Sequence, residues 1–183
     1  ATGLTGATAF AIDASNAYVA AGMSIQRVPL AGGAPAVVVT EAAAIHDVAV
    51  TGATLYYATG VEVKSIAASA SNGAPAATPV ALAASQGEPQ ALVVSGDIVL
   101  YSSASAMNVE RCDTTMDCRA GEGTNVESRG VGHFKIGQSQ GGLIFGHRSI
   151  QTDGTNVFWV NNGLQGAPIM PDADGLYPAK SIA

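Results

Sequence analysis

The chain matches itself four times, and this narrows its fold more than any other feature. AFAIDASNAYVAAG from Ala9, DVAVTGATLYYATG from Asp47, ALVVSGDIVLYSSA from Ala91 and SIQTDGTNVFWVNN from Ser149 align along their length. Each is a short apolar run, a polar turn, then a run rich in aromatic and β-branched residues. The turns fall at Asp13–Asn16, Thr51–Thr54, Ser95–Asp97 and Asp153–Asn156, and the aromatic steps at Tyr18, Tyr56-Tyr57, Leu100-Tyr101 and Phe158-Trp159. Asp, Asn, Gly, Ser and Thr supply tight turns, and aromatic residues favour pleated strands, so each segment reads as a β-hairpin.

A second strand pair follows. In the first unit it is Ser24-Ile-Gln-Arg-Val-Pro-Leu, the turn Ala31-Gly-Gly-Ala-Pro35 and the run Ala36–Thr40. The second unit has Val61–Ile66, a loop with Asn72-Gly-Ala-Pro75, then Pro79–Leu82. The third keeps Asn108–Cys112 with its cysteines at the turn, and the fourth keeps Gln165-Gly-Ala-Pro168 as the matching turn. Four strands per unit is the blade of a β-propeller, and unit starts 38 and 44 residues apart suit the roughly 40–50 residues of one blade. The third offset, 58, is longer and is read as an insertion within 119–148; the alternative is a strand pair hidden there. The predicted fold is all-β: a propeller of four-stranded antiparallel blades, about four in this chain, forming part of a larger ring. The units run near 1–41, 42–85, 86–148 and 149–183 within one domain. The Ala-rich stretches lack a 3.6-residue period and predict no helix.

The pairing of Ile12-Asp13-x-x-Asn16-x-Tyr18 with Arg27-Val-Pro-Leu-x-Gly-Gly-Ala-Pro35 resembles a family of bacterial secreted β-propeller repeats, distantly similar to the streptogramin lyase and NHL-type propellers. The resemblance covers most of 1–118 and 149–168. It implies the fold and a secreted, periplasmic or cell-surface setting. The lyase's catalytic pattern has no residue-by-residue counterpart here, so its activity is not carried over.

Composition bounds the function. Hydrophobic residues are 48% and charged residues 12% of 183, which excludes a disordered chain. A net charge of −6 with eight Lys and Arg in no basic run argues against nucleic acid and anionic membrane surfaces as partners. No apolar run approaches the roughly 18–20 residues that span a bilayer. The N-terminal residues read as folded sequence rather than as a signal peptide, so a mature chain or a fragment is expected. Cys112 and Cys118 have no zinc-ligand spacing; a local disulfide in an oxidising compartment is expected, with two thiols as the alternative.

Blades place the start of the innermost strand at the mouth of a central channel. The equivalent positions are Thr8, His46, Gln90 and Arg148. Such a ring on an Ala/Val-rich scaffold can hydrogen-bond a small polar or anionic ligand, with Arg148 as the charge anchor. The alternative is that these groups line a water-filled channel. Asp47 adjoins His46, but neighbours on a strand face opposite ways, which disfavours a His–Asp base pair. The spacing of His46, His133 and His147 has no metal-ligand signature, and Ser139 lacks a nucleophile elbow. Asp113, Asp117 and Glu122 read by default as a solvated acidic loop, with calcium binding as the alternative, and Asp172-Ala-Asp174-Gly175 begins like a calcium loop but lacks its bidentate Glu. No metal, cofactor or catalytic residue is predicted. The expected function is an extracytoplasmic binding scaffold for a protein or glycan, with another chain completing the ring as a further candidate partner. The alternative is a lyase or hydrolase acting at the channel mouth.

Overall fold

The structure is a computed structural model that describes residues 4–70, 78–84, 88–103, 108–115, 133–138, 150–160, 164–170 and 180–182. Among them there are sixteen strands and no helix. The first unit contributes β1 (Ala7–Ile12), β2 (Asn16–Ala21), β3 (Ser24–Pro29) and β4 (Ala36–Thr40); the second, β5 (Ile45–Thr51), β6 (Thr54–Thr59), β7 (Glu62–Ala67) and β8 (Val80–Ala84). The third contributes β9 (Pro89–Ser95), β10 (Ile98–Ser103), β11 (Asn108–Asp113) and β12 (His133–Gln138); the fourth, β13 (Ile150–Thr152), β14 (Asn156–Val160), β15 (Leu164–Pro168) and β16 (Lys180–Ile182). Each unit is one four-stranded antiparallel meander. The four first strands lie side by side in the order β1, β5, β9, β13. Residues from all four line a shared space of about 590 Å³, including Phe10, Val48, Leu92 and Gln151. This is the blade arrangement of a propeller about its channel.

The turns follow the local sequence. In the first and fourth units an aspartate caps the hairpin. Asp13 Oδ1 accepts the Ser15 and Asn16 N–H groups, both at 2.7 Å, and Asp153 Oδ1 accepts those of Thr155 at 2.8 Å and Asn156 at 2.6 Å. The second and third units use two-residue turns instead. Their leading residues, Gly52 and Gly96, have φ of 54° and 58°, a region only glycine enters without strain.

Alternation along each strand produces two apolar faces per sheet, and the sheets stack through them. The forward face of the first sheet (Tyr18, Ala20, Ile25) packs on the rear face of the second (Val48, Leu55, Tyr57, Ile66). The forward face of the second (Tyr56, Ala58, Val63) meets Leu92, Val99, Tyr101 and Cys112 of the third. The forward face of the third (Ala91, Leu100, Val109) meets Ile150, Val157, Trp159 and Ala167 of the fourth. The rear aromatics Tyr57, Tyr101 and Trp159 occupy one repeated position and are 0%, 0% and 4% exposed.

Two sequence expectations need correction. The 119–148 segment contains β12, which pairs with β11 as the fourth strand of the third sheet. The extra length of this unit therefore falls on both sides of β12, in the 114–132 and 139–149 connections, and the segment is not an inserted loop throughout. Gln165-Gly-Ala-Pro168 is part of β15 and not the turn its likeness to Ala31-Gly-Gly-Ala-Pro35 implied; β16 then completes the fourth sheet. Pro168, lacking an N–H, stands at the end of β15, where a proline is tolerated. Cys112 is fully buried in β11 and no described cysteine is a free thiol, while Cys118 lies outside the described residues.

Candidate site at the channel mouth

Three of the equivalent positions, Thr8, His46 and Gln90, sit within the inner strands, as their second residues, rather than before them. At each the strand register slips. Ala7 and Ala9 face Ala21 and Ala20, with Thr8 unpaired between them. Ile45 and Asp47 face Thr59 and Ala58, with His46 between. The β9–β10 ladder shifts between Ser103↔Pro89 and Tyr101↔Leu92, the stretch that contains Gln90. A bulge of this kind turns a side chain out of the regular alternation, which is why polar groups can stand at the mouth of an apolar stack.

Thr8, His46 and Gln90 line one cavity of about 240 Å³, together with Gly22, Ala44 and Asp47. Arg148 lies outside the described residues, as do His147, Ser139, Asp117, Glu122, Asp172 and Asp174. No group of three or more His, Cys, Asp or Glu residues with metal-site geometry occurs among the described residues.

Two of these residues also tie neighbouring sheets together. The Thr8 hydroxyl donates to the Ile45 carbonyl at 3.2 Å and lies 3.4 Å from that of Ala20. His46 Nδ1 lies 3.0 Å from the Pro89 carbonyl oxygen. A carbonyl only accepts, so Nδ1 carries the hydrogen, and in the neutral imidazole Nε2 is then the acceptor. Ile45 and Pro89 hold equivalent positions in their units. The same link thus occurs twice, from Thr8 and from His46 to the carbonyl that opens the next inner strand. The Gln90 amide donates to the Glu88 carbonyl at 3.3 Å within its own strand region.

Asp47 acts on the backbone. Its Oδ1 accepts the Val48 N–H at 2.9 Å and its Oδ2 accepts the Leu92 N–H of the third sheet at 2.8 Å. Burial raises its pKa above the ordinary carboxylate value, and the two N–H donors oppose that rise. Sequence reasoning missed this role and considered Asp47 only as a partner for His46. The available signal was its polarity at a position where two of the other units have alanine (Ala9 and Ala91).

Between the first two sheets, Glu41 accepts from the Tyr57 hydroxyl at 2.5 Å and pairs with Lys64 at 2.9 Å, while Lys64 also meets Glu62 at 3.0 Å. Arg27 reaches across to the Ala68 carbonyl at 3.1 Å. These contacts brace the stack away from the mouth.

No family model and no curated protein matches the sequence. Solved structures do resemble it. The computationally designed Ika4 protein matches at 14% identity and a TM-score of 0.55, over 97% of this chain and 91% of that one. A chain of the nidogen/laminin complex matches at 14% identity and 0.62, over 92% of this chain and 61% of that one. The WD40 β-propeller domain of Doa1 matches at 11% identity and 0.61, over 88% and 50%. The chain therefore spans about half to three fifths of the latter two. At such identities the likeness is one of fold, and the fold is a β-propeller.

Proposed function

We propose that this chain is an extracytoplasmic propeller module that binds a protein or glycan partner through the mouth of its channel. One observation carries the reading: the residues at the repeated mouth position, Thr8, His46 and Gln90, converge on one cavity. Its roughly 240 Å³ suits the polar tip of a partner, such as a side chain or a sugar hydroxyl, better than a whole drug-sized ligand, for which about 300 Å³ is a lower bound. Both hydrogen-bonding roles are present, with an amide at Gln90 and an imidazole acceptor at His46. Asp47 is engaged by two backbone N–H groups and His46 Nδ1 by a carbonyl, so Asp47 does not serve His46 as a His–Asp base pair would require. One structural neighbour belongs to a protein–protein complex, that of nidogen with laminin.

The proposed setting rests on the Cys112–Cys118 pair. Thiol titration of the unfolded, unreduced protein is expected to find no free thiol; two free thiols would remove the secretion argument. The mouth reading is tested by screening the chain against glycan and peptide arrays, then repeating the screen with His46→Ala and Gln90→Ala. A partner retained by the native chain and weakened at least ~10-fold by either variant supports the site. Equal retention by all three places recognition elsewhere, and turnover of an arrayed compound would favour a lyase or hydrolase instead.

A further inference from the structure

The rear face of the first sheet is the one rear face with no sheet against it among the described residues. Phe10, Ile12, Ala17, Val19, Val28 and Val37 lie on it together with the polar Gln26, and none of these is charged. Phe10 is 68% exposed, although its counterparts Val48, Leu92 and Ile150 are buried at 4%, 5% and 3%, and Ile12, whose counterparts Val50, Val94 and Thr152 are partly buried, is 55% exposed. All four sheets are present while this face stands open, so the chain's own fourth sheet leaves it uncovered. The fourth sheet has the reciprocal surplus: a forward face carrying Gln151, Phe158 and Leu164, with Leu164 43% exposed.

We propose that these two flanks join between two copies of the chain, the forward face of one fourth sheet covering the rear face of the other's first sheet, twice, to close a ring. The repeat itself identifies the occupant. At three consecutive junctions a rear face of this pattern is covered by the forward face of a sheet of the same pattern. The open flank continues that series. It differs at one pair of positions: Val19 stands where Tyr57, Tyr101 and Trp159 stand elsewhere, while Phe10 stands where the others have Val48, Leu92 and Ile150. The aromatic bulk has moved one strand inward, and the face keeps a ring to present. Two copies suit the larger of its structural neighbours, since this chain spans 50% of the WD40 propeller of Doa1 and 46% of the designed Ika8 protein, against 91% of the shorter designed Ika4 protein. A head-to-tail contact repeated by a two-fold axis closes without leaving a free edge. This inference is independent of the ligand reading at the mouth.

The test is the mass of the 183-residue chain in solution, by sedimentation or light scattering from micromolar concentration upward. A particle of two chains is expected. Phe10→Asp, at an exposed position, is expected to weaken association at least ~10-fold with the circular dichroism spectrum unchanged. A second measurement does not depend on that variant: Ile12→Cys combined with Gln151→Cys is expected to give an oxidised covalent dimer that neither single variant gives. A monomer at all concentrations overturns the proposal. So does a link formed within one chain, which would assign the flank to the chain's own fourth sheet, or an open-ended series of assemblies.

Discussion

Asp47 shows how one side chain can serve two sheets. Its carboxylate satisfies the backbone of Val48 and of Leu92, forty-five positions away. Asp47→Ala is expected to lower stability by about 1–3 kcal/mol in chemical denaturation, because the Leu92 N–H loses its acceptor. Asp47→Asn should lose less, since one amide oxygen still accepts. The aspartates titrate with opposite signs. The Asp47 pKa is raised by burial, so its charged form weighs against folding at neutral pH, and this penalty is relieved as pH falls through the raised value. Asp13 and Asp153 are held below 3.8, chiefly by the N–H groups of Ser15 and Asn156 respectively. Their contribution is present above the unfolded value of 3.8 and is lost as pH falls through the lowered folded values. Carboxyl carbon NMR titration is expected to place Asp47 above 3.8 and the two turn aspartates below it. Asp13 also accepts from the Tyr18 hydroxyl at 2.8 Å; burial first, and then this bond, pushes the phenol up to about 12. None of these partnerships was legible in the sequence except the turn caps, whose Asp-x-Ser/Thr-Asn spacing fixes both ends of the bond within four residues.

At the scale of strands and turns, the sequence carried most of the fold, because a hairpin is a local object. The polar turns and aromatic runs placed β1 and β2, β5 and β6, β9 and β10, and β13 and β14 near their observed bounds. Reading failed where local cues were ambiguous or distant. β12 is separated from β11 by the 114–132 connection, so no hairpin signal ties them. Gln165-Gly-Ala-Pro168 contains turn-forming residues, yet it pairs with β14 along its whole length. The bulges were illegible for another reason: a register slip belongs to two strands, and no one-strand pattern encodes it. Gly52→Ala and Gly96→Ala are each expected to cost about 1–2 kcal/mol in thermal or denaturant unfolding. A Cβ would meet nothing within 4 Å at either position, so the whole loss is backbone strain. The matching asparagine variants should lose less, because asparagine tolerates the left-handed region.

In the whole molecule, stability resides in the junctions between sheets. Tyr57 is fully buried between the first two sheets, and Tyr57→Ala is expected to cost about 3–5 kcal/mol by denaturant titration. Phe10→Ala removes a ring of similar size at 68% exposure and is expected to change the stability of the isolated chain by less than about 0.5 kcal/mol. In a stack whose members touch only their neighbours, each junction adds its own increment, so substitutions at different junctions should combine nearly additively. The repeat made this architecture legible; the identity of the open flank was not, because the same alternation appears on covered and uncovered faces alike.

The links from Thr8 to Ile45 and from His46 to Pro89 carry a further consequence. The groups that would greet a visitor at the rim are also rivets of the fuselage. Retuning what docks there would loosen the seams beneath it, so variants selected for a new taste should melt earlier unless a compensating rivet is set elsewhere.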